Sequence, residues 1–469
     1  MTPQELVERA LAGSRADQCI VIADETTSAN LRWAGNTLTT NGVSKSRALT
    51  VIALQNRPDG ISVGVVSRSG IRDDQLPALL RAAERAAAES SPAEDARPLI
   101  DATPEPFGRW DDPVPETDIS VFRDVAPTLG EAFGAADAAG RKLYGYAEHE
   151  LDCSFLGTSS GLRLRHDQPS GKLQLNAKSA DLERSTWGGT ATRDFQDVDV
   201  AGLYEQLGQQ LEWAKRRIDL PAGRYETLLT PSSVADLFIY LYWSAGARDA
   251  LDGRSVFSKA GGGTKVGEQL SSLPVRLRSD PYAPGLECSP FVVAHASSRN
   301  SSVFDNGLAL RPTEWISGGS LAALTQTRHT AEMSGLDVTP GIDNLIFDVE
   351  PGSGGSGPGS GGSLTDMIAK TRRGLLVNCL WYIREVDPQS LLLTGLTRDG
   401  VYLVENGEVT GAVNNFRFNE SPVGMLGRLG EAGQTVPALP REWGDYFTRA
   451  AMPPLRVEGF NMSSVSQAS

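Results

Sequence analysis

Residues 230–243, TPSSVADLFIYLYW, constrain the fold more than any other stretch of this chain. Thr230 suits an N-cap and Pro231 the first helical position, where its missing N–H costs nothing. Val234, Leu237, Phe238 and Leu241 then form one stripe, while Ile239, Tyr240, Tyr242 and Trp243 lie round the rest. A helix that is apolar all round is normally buried all round, so the chain must build a core deep enough to enclose it. Core filling is the ordinary role of such a segment. The alternative is that its extra aromatic face meets a partner subunit, where Tyr and Trp are favoured.

At 469 residues the chain has room for two or three domains. At its start Thr2, Pro3 and Glu5 predict a helix closed by a capping box. Four strand-like runs follow: CIVIAD, ANLRWAGNTLTT, SRALTVIAL and ISVGVVSRS. The second alternates around Leu31 and Trp33, giving one covered and one wet face. DDQLPALLRAAERAAAES then predicts an amphipathic helix, with Asp73 and Asp74 at its start and Leu76, Leu79, Leu80, Ala83, Ala86 and Ala87 as its stripe. These elements make a small α+β unit over residues 1–115, ending in the Pro-rich acidic segment 98–118, which reads as a linker.

A middle α/β unit is expected over 116–221, with a helix at about 121–142, two strand regions and the helix VAGLYEQLGQQLEWAKRRID. Residues 222–469 predict a β-rich third unit with few helices. Its hairpin VYLVENGEVTGAV turns at Asn406-Gly407, which supplies the two positive-φ positions of a type I′ turn. The fold class expected is therefore α+β in three parts. PGSGGSGPGSGGS, residues 351–363, cannot pack and reads as a mobile loop.

The formal net charge of −14 argues against a nucleic-acid or anionic-membrane surface, because both need clustered Lys and Arg. Cys19, Cys153, Cys288 and Cys379 are far apart and form no C-x-x-C pair, which fits reduced thiols. MTPQELVERALAG lacks the basic start and apolar run of a signal peptide. No window reaches the ~20 uninterrupted apolar residues of a membrane span. The expectation is a cytoplasmic protein.

Metal chemistry has few donors to draw on. The histidines are His149, His166, His295 and His329. HELDC brings His149, Glu150 and Cys153 near one another in sequence, but YAEHELDCSFLG alternates like a strand. Glu150 would then face away from His149 and Cys153. RHTAEM sets His329 and Glu332 three apart, which suits a structural hydrogen bond as well as a carboxylate–histidine pair. GTSSG lacks the G-x-S-x-G order of a nucleophile elbow, and KAGGGTKVGE lacks that of a phosphate loop. Cys379, within LLVNCLWYI, reads as a buried thiol. Residue chemistry alone assembles no active site.

SANLRWAGNTLTTNGVSKSRALTVIAL, YAEHELDCSFLGTSSGLRLRHDQPSGKLQLNAKS, GRSVFSKAGGGTKVGEQL and GLLVNCLWYIREVDPQSLLLTGLTRDGVYLVENGEVTGAVNNFRFNESPVGMLGRL resemble, in order, segments of the TldD/PmbA family of peptidases. The likeness runs over nearly the whole chain. It implies two related subunits that pair: a TldD type that binds zinc through H-E-x-x-x-H, and a TldE/PmbA type that lacks the motif. Aligned without gaps on Gly253 to Glu268, the first His falls on Phe238, the Glu on Ile239 and the second His on Trp243. Those side chains offer zinc no lone pair, and Ile239 cannot take a proton from water. No His lies between His166 and His295. A further cysteine ligand is expected near the chain end, yet no Cys follows Cys379.

The resemblance therefore implies a TldE/PmbA-type, non-catalytic subunit of a heterodimeric zinc metallopeptidase acting on small or unfolded peptides. Zinc would sit in the TldD-type partner and none in this chain. Two alternatives stay open. One is an independent metallopeptidase with divergent ligands drawn from His295, His329, Glu332 or Cys288. The other is a non-enzymatic adaptor or self-associating protein.

Overall fold

The computed structural model describes residues 1–101, 110–349 and 362–466. Helix α1 (Pro3–Gly13) opens with the expected capping box: the Thr2 hydroxyl accepts the Glu5 N–H, and the Glu5 carboxylate accepts the Thr2 N–H. The first half of the chain then forms β1 (Gln18–Ala34), β2 (Thr37–Arg57), β3 (Gly60–Ser69), α2 (Leu76–Glu89), α3 (Val125–Ala138), β4 (Arg141–Thr158), β5 (Arg163–Ser179), β6 (Ser185–Thr192) and α4 (Val200–Trp213).

These strands make one antiparallel sheet in the order β3-β2-β1-β4-β5-β6. The separation of 1–115 from 116–221 is therefore corrected. β1 and β4 stay in unbroken register from Ile20↔Thr158 to Ala34↔Tyr144, so the boundary falls inside a single sheet. The described end of the supposed linker is also docked. Trp110 packs edge-on to Phe155 at 5.6 Å, and Arg165 donates to the carbonyls of Asp112 (2.6 Å) and Pro113 (3.1 Å).

The pleat of β1 explains how the sheet is clothed. Cys19, Val21 and Ala23 point to α1 and α2; Ala29, Leu31 and Trp33, of the same parity, point to α3 and α4. α2 lies so close on β3 that a Cβ at Gly64 would meet the Ala83 carbonyl at 2.1 Å, which only glycine avoids. On the other face, Ile20 and Ile22 pack with Phe291, Val303 and Phe304 of the C-terminal half. Farther along that face come Asp24, Thr26, Ser28, Asn30 and Arg32, where the sheet turns polar.

The second half places α5 (Pro231–Trp243) between two sheets. The six-stranded sheet contains Val275–Ser279, Thr313–Ser317, Ser320–Leu321, Leu345–Val349, Val436–Ala438 and Ala450–Met452. The other contains Gly223–Leu229, Arg373–Asp387, Leu392–Glu405, Phe416–Glu420 and Leu455–Val465. Pairing of Arg373–Asp387 with Leu392–Glu405 closes those five strands into a ring. Arg217–Ile218 already pairs with Glu408–Val413, so this sheet begins before residue 222. Asn406 (φ 51°) and Gly407 (φ 84°) make the expected turn. The Gly/Ser stretch falls outside the described residues over 351–361. Ser363, counted within it, instead caps the helix Leu364–Ala369.

Candidate functional site

Helix α5 starts as its sequence requires. The Thr230 hydroxyl accepts the Ser233 N–H and donates to the Asn378 carbonyl (2.6 Å). Its side chains then divide in a way that periodicity did not show. Phe238 and Ile239 are wholly buried, with the Phe238 ring 4.8 Å from that of Phe347. Trp243 is 39% exposed, and Tyr240 is half-buried. Both lean on Trp443, at centroid distances of 5.3 Å and 5.7 Å. The expectation of a helix enclosed on all sides is thus corrected at its last turn, where the core ends.

Asp236 is a functional position that hydrophobic periodicity does not flag; its signal in the sequence is that it is a lone acid in an apolar helix. It is fully buried. Its carboxylate accepts the N–H of Arg441 (3.2 Å) and of Glu442 (2.9 Å), and its backbone carbonyl accepts the Trp443 indole N–H (2.8 Å). Burial pushes the Asp236 carboxyl well above the usual carboxylate range, against the pull of those backbone bonds. Glu442 in turn accepts the N–H of Tyr382 (2.9 Å) and Ile383 (3.2 Å). α5 therefore holds the loop that covers it.

The alternative ligands do not converge. His295 bonds Asp24 through Nε2 at 2.8 Å, and that carboxylate raises its affinity for a proton. His329 and Glu332 both contact Arg97, and Arg248 approaches the second ring nitrogen of His329 at 3.4 Å. Two guanidinium groups occupy the space a cation would need. Cys288 is buried, which pushes its thiol up to about 12. Among the described residues no group of three or more His, Cys, Asp or Glu is placed to hold a metal.

HELDC lies in β4, with His149 and Cys153 buried on one face and Glu150 on the other, as its alternation requires. His149 Nε2 donates to the Arg193 carbonyl (2.9 Å), leaving Nδ1 to accept from Thr117 (2.7 Å). Burial favours this neutral form. The Cys379 thiol is fully buried and donates to the Arg398 carbonyl.

The polar face of the sheet and the C-terminal half enclose a cleft of about 580 Å³ lined by His166, Arg193, Arg278, Glu287 and Arg449. Ser170, Thr448 and Arg449 also border a second space of about 180 Å³ beside Glu148, Glu150, Asp152 and Lys172. Lys172 bridges Glu148 (3.2 Å) and Asp445 (2.5 Å), tying the sheet to the loop after Trp443. Burial first, then the neighbouring Asp152 and Glu148, pushes Glu150 up to about 7. The cleft offers both charges and a mixed polar and apolar wall.

Residues 222–464 match the profile described as the PmbA/TldA metallopeptidase C-terminal domain. No curated protein matches the sequence. The fold is that of solved structures over almost all of each chain. TldE from Thermococcus kodakarensis is 17% identical at a TM-score of 0.75, covering 98% of this chain and 99% of that one. A protein from Thermotoga maritima described as a modulator of a DNA gyrase is 16% identical at 0.74, with the same coverage of 98% and 99%. A counterpart from Bacteroides thetaiotaomicron is 14% identical at 0.73, again covering 98% and 99%. At these identities the likeness is one of fold.

Proposed function

We propose, from the premise that this chain belongs to the PmbA/TldD metallopeptidase family, that it is the non-catalytic subunit of a two-subunit cytoplasmic peptidase. A relative carrying H-E-x-x-x-H would supply zinc and the water-activating Glu, and small or unfolded peptides would be the substrate. This chain would help to enclose them.

Helix α5 carries this reading. At the positions where the gap-free alignment sets the ligands, Phe238 and Ile239 are sealed in hydrocarbon and Trp243 meets Trp443 edge to face. Phe and Ile have no donor atom, and an indole N–H has no free lone pair, so these residues do not fit zinc. The exposed aromatics around the covering loop favour a partner. Trp243 (39% exposed) lies against Trp443, Tyr382 (54%) bonds Glu442, and Tyr446 (77%) bonds the Trp443 carbonyl. Aromatic side chains are enriched where subunits meet. Among the described residues no helix is long and apolar enough to cross a membrane.

The test is to purify the chain alone and with a relative that carries the motif, then compare zinc content and peptide cleavage. Both are expected only in the pair. Stoichiometric zinc and turnover by the lone chain would refute the assignment.

A further inference from the structure

Arg441, in the loop that covers α5, lies within cation–π reach of two indoles. Its guanidinium carbon is 5.0 Å from the Trp187 ring and 4.5 Å from the Trp381 ring, and it donates to Gln174 Oε1 at 3.0 Å. These contacts restrain the cation and spare a ligand part of the entropy of ordering it. Beside it opens a cavity of about 740 Å³ whose ionic lining is Lys178, Arg217, Arg398 and Arg441 against Glu183 and Asp399. Four cations face two carboxylates there, in a chain whose 58 acidic residues outnumber 44 basic ones. The local charge is opposite to the global one.

The carboxylates do not cancel that excess. Asp399 accepts the Ser185 hydroxyl at 2.6 Å and stands 3.8 Å from Arg398 and 3.9 Å from Arg441, a loose arrangement for ion pairing. Among the described residues the Arg217 guanidinium pairs with Asp219, at 4.0 Å, and stays largely exposed. The Lys178 ammonium lies 5.8 Å from the centre of the Tyr144 ring. Two residues of this wall, Leu182 (φ 64°) and Asp399 (φ 49°), hold the left-handed conformation that non-glycine residues seldom adopt. Strain of this kind gathers where a backbone has been set to present a ligand site.

We infer that this cavity binds the terminal carboxylate of a peptide, with Arg441 and Arg398 as its anchors and Lys178 completing the cationic rim. The volume exceeds what an inorganic anion needs and suits several residues of chain. Asn176 and Tyr144 on the sheet wall provide an amide and a ring edge for the segment that follows. Only Glu442 separates Arg441 from Trp443, so a peptide anchored here lies next to the loop over α5. The choice of a peptide rests on the function proposed above; the cation excess does not.

Binding to the lone chain, measured by calorimetry, separates the two. One short unstructured peptide is titrated as its free acid and as its C-terminal amide, and inorganic phosphate is titrated separately and as a competitor. The acid is expected to bind at least about tenfold more tightly than the amide. Arg398→Gln combined with Lys178→Gln should weaken the acid about tenfold or more while leaving the circular dichroism and melting temperature unchanged. Conserved binding in a Glu205→Gln control is expected, since Glu205 is not part of the wall. Equal affinity for acid and amide, or no binding of either, would overturn the inference. So would phosphate binding with no preference for the acid. None of these results depends on whether zinc or a second subunit is present, so the proposed subunit role stands or falls separately.

Discussion

The indole of Trp443 meets that of Trp243 edge to face, with ring centroids 5.3 Å apart and planes at 67°. The contact ties the last turn of α5 to a loop that Asp236, one turn and more upstream, holds by its backbone N–H groups. The same helix thus fills the core with its middle and supports an aromatic surface with its end.

That division predicts the outcome of trying to rebuild a metal site. Phe238→His, Ile239→Glu and Trp243→His together restore the motif in sequence only. The new imidazole at 238 would face Phe347, and the carboxyl at 239 would be enclosed without a partner. Burying such groups unpaired costs several kcal/mol, roughly 3 or more for the set. The triple variant is expected to melt far below the parent and to bind no zinc in atomic absorption. Stoichiometric uptake by a folded variant would mean that the three positions do converge.

Single truncations should separate the two roles of α5. Phe238→Ala removes a wholly buried ring and is expected to cost about 3–5 kcal/mol in urea unfolding. Trp243→Ala loses edge contacts at a half-open site, at about 1–2 kcal/mol. Yet Trp243→Ala, and not a stability-matched core variant elsewhere, should abolish association with the motif-bearing relative in a pull-down. Unimpaired association would remove Trp243 from the interface.

Asp236 is the third point of control. Asp236→Ala leaves two backbone N–H groups without an acceptor inside the protein, about 1–3 kcal/mol for each. Asp236→Asn keeps one acceptor oxygen and should recover part of the loss. Because the loop also carries Arg441, the alanine variant should in addition increase hydrogen exchange over 439–447. Protection equal to the parent there would show that the loop is held by other contacts.

Local chemistry was legible in the sequence and long-range chemistry was not. Thr2 and Glu5 declare a capping box within four residues, and Asn406-Gly407 declares a turn within two, because each structure is satisfied by its own neighbours. Alternation placed His149 and Glu150 on opposite faces for the same reason. The pairing of β1 with β4 joins residues more than a hundred apart, and alternation names no partner, so the sequence suggests two units where the structure has one sheet. Periodicity likewise reports that a helix is apolar, while the place where the core stops, between Tyr242 and Trp243, depends on the loop returning at Trp443. The cationic cavity draws on five separate stretches of chain and left no motif at all.

Glu150 makes the pH dependence testable in sign. On β4 it shares a face with Glu148 and Asp152, and burial with these two like charges raises its carboxyl from the ordinary 4.5 to about 7. Between those values the unfolded chain has released the proton and the folded chain retains it. The folded state then binds more protons, so this residue's contribution to stability is full below about 4.5 and declines as pH rises toward 7. His149 works the other way, since burial lowers its proton affinity and its contribution is lost as pH falls below 6.5. Glu150→Gln carries no proton to lose. It is expected to flatten the fall in melting temperature between pH 5 and 7 and to melt above the parent at pH 8, where the parent must hold a charged Glu150 beside Asp152. A parallel pair of melting curves across that range would mean that solvent, or Lys172 through its own bridge to Glu148 and Asp445, already neutralises the site.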